Sequence, residues 1–220
     1  MKKTVVITVL LILGIFIFQS CGNNSTSETD TKADSSHSQT HDTMMNKTDQ
    51  MSNELMTAMH SSMQELKMTD DFDQNFANTM IQHHKEAVAM SEVEVAKGSD
   101  AQVKNWAQNI ITSQNAEIDH LQQMLQNNKV SGKNEPGDKH KKLKDAMDKM
   151  MSDMMGMKMT GNMDKDFVMM MKMHHEGAIL MAKDEISYGN NAMLKKMAQK
   201  MIDDQSKEIQ EFQAWLDKNK

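Results

Sequence analysis

The chain has 220 residues and a formal net charge of −6, and all 25 of its basic residues are lysines. Without arginine it lacks the planar guanidinium that binds phosphate through two hydrogen bonds, and its negative charge repels polyanions. Both features argue against nucleic-acid binding. Aromatic residues make up only 4% of the chain, whereas 27 residues are methionine. Because Ala, Leu, Met, Lys, Glu and Gln favour helix, this composition predicts an all-α protein with a methionine-rich core.

The N-terminal residues predict an export signal. Two lysines precede an apolar run from Val5 to Phe18, which suits the hydrophobic region of a signal peptide and is short for a membrane span. Residues 1–20 end with Ser20, directly before Cys21, the only cysteine. This arrangement is typical of a bacterial lipoprotein, in which Cys21 would be acylated. The alternative is a secretory or anchoring segment with an incidental cysteine.

Residues 21–50 are rich in Ser, Thr, Asn and Asp and offer almost nothing to bury, so a disordered polar tether is expected. A helical domain over 51–220 should follow it. Four side chains of the tether are weaker candidates for metal contact: His37, His41, Met44 and Met45.

An internal repeat dominates the rest of the chain. A shift of 91 residues aligns Asp73 to Leu125 with Asp164 to Leu216 without a gap, and 19 of the 53 positions are identical. The repeat predicts two similar units, about 51–127 and 139–218, joined by a linker at 128–138. Each unit is expected to hold a short methionine-rich helix and a hairpin of two long helices. The four long helices can then close into one bundle.

Polar and glycine residues indicate where the helices begin and end. The first long helix should run to about Lys97, where Gly98 is expected to provide a left-handed stop, and Gly189 should do the same in the second unit. The helix caps expected in chain order are Asp70 or Asp73, Ser99 or Asp100, Asp164, and Asn190.

Each hairpin should bring two adjacent histidines against polar residues of its second helix. Antiparallel pairing about Gly98 places His83 and His84 beside Gln114 and Glu117. In the second hairpin the equivalent residues are His174, His175, Gln205 and Glu208. Burying such groups is costly unless they satisfy each other or an ion. Both outcomes remain open: a hydrogen-bonded network that fixes helix register, or a metal site.

Methionine clusters indicate which metal such a site would take. Thioether sulfur suits Cu(I), while imidazole accepts both Cu(I) and Cu(II). The clustered candidates are Met59, His60 and Met63 in the first unit and Met150, Met154 and Met157 in the second. The last three share one helical face if their helix continues that far. The alternative is that these methionines fill the core, where their flexibility is useful.

The two long-helix segments resemble the domain of unknown function 305 family. The shared pattern is a His-His pair preceded by Met, then Ala-x-x-Met and a glycine, then Gln-x-x-Glu-Ile. The resemblance implies a ferritin-like fold in an exported protein, with some Met- and His-rich members binding copper. Carried over by motif, the implied metal residues are Met80, His83, His84, Met90, Met171, His174, His175 and Met181, with Gln114, Glu117, Gln205 and Glu208 supporting them.

Together these features predict a lipid-anchored copper-binding protein of the cell envelope, periplasmic or on the outer membrane, without catalytic turnover. Expected partners are the metal ion, the membrane through Cys21, and a second copy or another copper-handling protein. Two alternatives remain. One is an interaction module that docks through its methionine-rich helices without metal. The other is a ferritin-like di-iron enzyme, for which Glu117 to His120 supplies one Glu-x-x-His motif whose repeat ends in Glu211 instead.

Overall fold

The computed structural model describes residues 53–61, 66–127, 129–130 and 139–220, which belong to one unit spanning 38–220. Within these ranges the chain is helical, and no strand occurs, so the predicted all-α class is confirmed. The helices are α1 (53–61), α2 (Phe72–Lys97), α3 (Ala101–Gln126), α4 (Lys139–Met155), α5 (Met163–Tyr188) and α6 (Ala192–Lys218).

Several sequence-based predictions concern residues outside the described ranges. They are the signal peptide, the acylation of Cys21, the tether with His37, His41, Met44 and Met45, and Met63. Among the described residues, no helix combines the length and apolar composition that a membrane crossing requires.

The long helices begin at polar caps that the sequence located to within two positions. The first cap is Asp71, whose carboxylate accepts from the Gln74 backbone N–H at 3.1 Å. Asp100 caps α3 as one of the two expected residues, whereas Asn162 and Asn191 replace Asp164 and Asn190. A cap needs extended backbone before the first helical residue. Asp73 and Asp164 already lie inside the first turn of their helices, so neither can serve as the cap.

The prediction of left-handed glycine stops was wrong. Gly98 and Gly189 have φ of −62° and −65°, in the extended region that any residue adopts. Glycine is needed at these positions because the side chains of Glu94 and Glu185 fold back against them and leave no space for a Cβ. A Cβ at Gly98 would lie 1.9 Å from the Glu94 carboxylate, and one at Gly189 would lie 2.2 Å from that of Glu185.

Two antiparallel hairpins form the bundle, as the repeat predicted. α2 packs against α3, α5 packs against α6, and the hairpins meet where α2 contacts α5. α4 lies against α5 and α2. The buried core combines four phenylalanines with many methionines of α2, α4 and α5. Its fully buried large side chains include Phe76, Phe167, Phe212, Met59, Met80, Met90, Met154 and Met170.

An aspartate from each hairpin holds the loop of the other. Asp164 at the start of α5 accepts hydrogen bonds from the Ser99 backbone N–H and hydroxyl, at 2.8 and 2.6 Å, and from Asp100 N–H at 2.8 Å. Asp73 accepts from the N–H groups of Asn190 and Asn191 at 2.9 and 3.0 Å. These reciprocal contacts fix the hairpins in an approximate two-fold arrangement, which brings the middles of α2 and α5 together.

Candidate metal centre

Two pairs of adjacent histidines lie in the two central helices. His83 and His84 belong to α2, His174 and His175 belong to α5, and all four side chains are completely buried. The rings of His83 and His174 face each other between the helices, with centroids 3.6 Å apart and planes inclined by 35°. Each hairpin therefore contributes one imidazole to a shared centre, where the sequence had indicated a separate pair of histidines in each hairpin.

The second histidine of each pair contacts the partner helix of its own hairpin. His84 Nε2 lies 2.8 Å from a carboxylate oxygen of Glu117, and His175 Nε2 lies 2.8 Å from Glu208. Since a carboxylate accepts, Nε2–H is the donor in each contact, and a neutral ring then carries its lone pair on Nδ1. A histidine that ligates a metal commonly donates its other N–H to a carboxylate in this way.

The shared centre is asymmetric because one position of the repeat differs. Glu86 in α2 corresponds to Gly177 in α5. The buried Glu86 carboxyl lies 3.7 Å from His174 Nε2. On the opposite side the thioether of Met150 takes that place, with its sulfur 3.2 Å from His83 Nε2. Gly177 makes room for it, because a Cβ there would lie 2.7 Å from the sulfur.

Burial sets the protonation of this centre. It lowers the pKa of His83 and of His174 well below 6.5, and the neighbouring imidazoles lower both further. Burial also raises the pKa of Glu86 to about 7, against the opposing effect of its hydrogen bond from Gln82. His83 and His174 are therefore neutral at physiological pH, so a metal ion need not displace a proton from either ring's lone pair.

The centre contains buried polar atoms that the protein leaves without hydrogen-bond partners. Such atoms are costly in an apolar interior unless something else binds them. Within the described part of the chain they include Nδ1 of all four histidines, Nε2 of His174, Oε2 of Glu86, and the amide oxygens of Gln114 and Gln205. Most of these atoms can donate a lone pair, so the arrangement fits a bound cation.

The structure separates the remaining candidate residues into buried and exposed ones. Met80, Met90, Met171 and Met181 are completely buried in α2 and α5, and Met59 and Met154 are buried in α1 and α4. His60 is exposed, and its Nδ1–H donates to the Met56 carbonyl at 2.8 Å. Met157 was expected to share a helical face with Met150 only if the helix continued that far; α4 ends at Met155, so this condition is not met and Met157 lies just beyond the helix.

The Glu-x-x-His motif does not bring both of its residues into the bundle as a di-iron site would require. Glu117 is engaged by His84, while His120 is exposed and lines a surface pocket between α3 and α6. Across the described ranges, no three His, Cys, Asp or Glu side chains are grouped closely enough to hold a metal ion by themselves. A sulfur joins the buried histidines through the contact of Met150 with His83.

Sequence reasoning missed three features of this centre: Glu86, Gly177 and the pairing of His83 with His174. The first two could have been found, since they form a mismatched pair beside the histidines in the repeat alignment. The third follows from packing between the hairpins, which the periodicity within each helix cannot reveal.

Comparisons with known proteins place this chain in a family. No curated protein shows significant similarity to it. Among solved structures, a DUF305 protein from Streptomyces coelicolor is 22% identical, with 69% of this chain and 95% of that chain covered and a TM-score of 0.54. A DUF305 fragment from Deinococcus radiodurans is 18% identical, with coverages of 67% and 96% and a TM-score of 0.51.

CopM in its Cu(I)-bound form is 25% identical to this chain, with 69% of this chain and 98% of that chain covered and a TM-score of 0.50. The profile of the domain of unknown function DUF305 matches twice, at residues 21–125 and 126–216. The chain therefore belongs to the DUF305 family.

Proposed function

We propose that this protein binds copper as Cu(I) at the buried centre and sequesters it without catalytic turnover. The observation that carries the proposal is the contact of 3.2 Å between His83 Nε2 and the Met150 sulfur, deep in a cluster of four buried histidines. A neutral imidazole beside a thioether is a donor pair that favours a soft monovalent ion. His83, His174 and Met150 would hold the ion.

The surrounding residues suit that role. His84 and His175 are oriented by Glu117 and Glu208, and the Nδ1 atom of each ring has no hydrogen-bond partner in the protein. Burial lowers the pKa of His83 and of His174, so these two rings are neutral and add no positive charge to the site. The similarity to CopM, whose solved form contains Cu(I), gives independent support to the choice of ion.

The proposed location is the cell envelope, with the chain anchored through acylated Cys21. The lysine pair, the short apolar run and the small residue before the cysteine support this. The Streptomyces coelicolor relative, classed as a secreted protein, supports export. Replacing Cys21 with Ser should release the protein into the soluble fraction; continued sedimentation with membranes after signal removal would contradict the anchor.

A Cu(I) titration of the purified protein against a competing chelator tests the copper proposal. Met150→Leu keeps volume and apolarity nearly constant and removes only the sulfur. We expect it to weaken Cu(I) binding by about tenfold or more, equivalent to about 1.4 kcal/mol. Met154→Leu is the matched control, since Met154 is equally buried one turn further along α4.

The double variant His83→Gln with His174→Gln should lose most of the Cu(I) affinity while keeping the helical circular-dichroism signal. Equal affinity in Met150→Leu, Met154→Leu and the parent protein would contradict a role for the Met150 sulfur. Undiminished Cu(I) binding by the folded histidine variant would contradict the proposed centre as a whole.

A further inference from the structure

A surface groove runs between α3 and α6, the two helices that flank the central pair. It contains two pockets, of about 450 and 570 Å³, and Glu117 lines both. The smaller pocket is lined by Trp106, Glu211 and Phe212 among others. The larger is lined by His120, Met193 and Met197. The approximate two-fold arrangement exchanges these two ends of the groove.

The repeat shows that the ends have diverged in chemistry. His120 corresponds to Glu211 in the 91-residue shift, and Met193 and Met197 correspond to Gln102 and Trp106. The differences lie on both helices: α3 supplies the histidine and α6 supplies the two methionines. Three independent departures from the repeat thus bring one imidazole and two thioethers to the same pocket.

Core filling does not explain the methionine at the rim of this pocket. Met193 is 52% exposed, whereas Met80, Met90, Met171 and Met181 of the central helices are completely buried. An exposed thioether gains little from packing and is open to oxidation. Met197 is partly buried against the core, and His120 is exposed, so all three side chains can reach a ligand in the groove.

We propose that the pocket lined by His120, Met193 and Met197 is a second site for a soft monovalent cation, open to solvent. One imidazole and two thioethers form a donor set suited to Cu(I) or its analogue Ag(I). Lys196 and Lys200 also line the pocket and disfavour a divalent ion more than a monovalent one. The Lys200 ammonium is paired with the Asp204 carboxylate, which reduces this repulsion.

The position of the pocket suggests how it works with the buried centre. Glu117 lines the pocket and also accepts the hydrogen bond of the buried His84. The Glu117 side chain would therefore lie between an ion held at the surface and the histidine cluster. In this role, which rests on the proposed copper function, the pocket receives Cu(I) from solvent before it moves inward.

The site can be tested with Ag(I), a redox-stable probe, added to purified protein labelled with ¹³C at the methionine methyl groups. We expect the Met193 and Met197 methyl resonances to shift in a saturable way, with assignments taken from single Met→Leu variants. In His120→Gln, about ten times more Ag(I) should be needed to produce the same shifts. Met155 provides the internal control, because it is 61% exposed and lies outside the groove.

The same titration on the variant with His83→Gln, His174→Gln and Met150→Leu separates this proposal from the copper function of the buried centre. The Met193 and Met197 methyl groups should still respond when the central ligands are gone, provided that circular dichroism shows the variant to be folded. The inference is overturned if these methyl groups stay unmoved at silver saturation. It is also overturned if Met155 shifts at the same Ag(I) concentration, since any exposed thioether would then suffice.

Discussion

The two hairpins share their structural contacts and differ where metal chemistry is expected. Each has a histidine that donates to a glutamate at 2.8 Å, and each has an aspartate that holds the other hairpin's loop. At the shared centre, however, Glu86 of the first hairpin lies beside His174, whereas its counterpart Gly177 leaves space for Met150 beside His83. Positions that are identical in the two repeats therefore stabilise the bundle. Positions that differ between the repeats give the two sides of the centre different metal donors.

The two hairpins also share two pairs of equivalent glutamates with different roles. Glu117 and Glu208 are partly exposed and bind histidines. Glu94 and Glu185 are buried beside Asp164 and Asp73, and burial first, and then the neighbouring aspartate, raises the pKa of each glutamate to about 9. The first pair orients the histidines, while the second is protonated at neutral pH and lies in the last turns of α2 and α5.

The largest expected effect concerns the aspartates that hold the loops. Asp164→Ala removes a carboxylate with three hydrogen bonds, and Asp73→Ala removes one with two. We expect losses of about 3 and 2 kcal/mol in the free energy of unfolding, measured with urea, because the freed loop N–H groups lose a charged acceptor. Asp148→Ala, which removes an exposed pair with Lys144, is the control and should change it by less than about 0.5 kcal/mol. Equal effects in all three variants would contradict the role of these contacts.

A smaller effect is expected from filling the space beside Gly177. In Gly177→Ala the added Cβ would lie 2.7 Å from the Met150 sulfur and must displace it from His83. We expect Cu(I) affinity to fall about tenfold in a competitive titration, about 1.4 kcal/mol. Helical stability should hardly change, since alanine favours helix. Gly156→Ala, whose Cβ would have only ordinary contacts, should leave the affinity unchanged. An unaffected Gly177→Ala variant would show that the sulfur is not needed.

The smallest effect concerns the protonated glutamates, which should behave alike in both hairpins. The pKa of each is about 9 in the folded protein against 4.5 as its ordinary value, so the folded state binds more protons between these limits. Their contribution to stability is largest below pH 4.5 and is lost as the pH rises toward 9. Glu94→Gln and Glu185→Gln should each raise the free energy of unfolding at pH 8 by about 1 kcal/mol, a value discounted for solvent screening.

Urea unfolding between pH 5 and 9 measures how the free energy of unfolding depends on pH. This dependence should be weaker in the double variant than in the parent protein. Glu92→Gln, at a position in α2 that is not buried, serves as the control. A parent profile that rises with pH across this range would contradict the assigned protonation.

Much of the fold was readable from the sequence because its signals are local. Composition predicted helix, the 91-residue repeat predicted two hairpins, and Lys97 ends α2 as expected. The prediction for Gly98 failed because glycine after a helix usually indicates a left-handed backbone. In the structure, glycine is needed there because the Glu94 side chain occupies the space of a Cβ. Similarly, Asp164 was expected to cap its own helix, but it binds the other hairpin's loop.

By itself, the sequence determined which residues line each helix and which hairpin each belongs to, since helical periodicity and a gap-free repeat act over short distances along the chain. Only the tertiary structure decided which imidazoles meet. His83 stacks on His174, which is 91 positions away, because reciprocal aspartate contacts and the packing of α2 on α5 bring the helix centres together. Likewise, Met150 reaches His83 because Gly177 in a third helix leaves the space that its sulfur occupies.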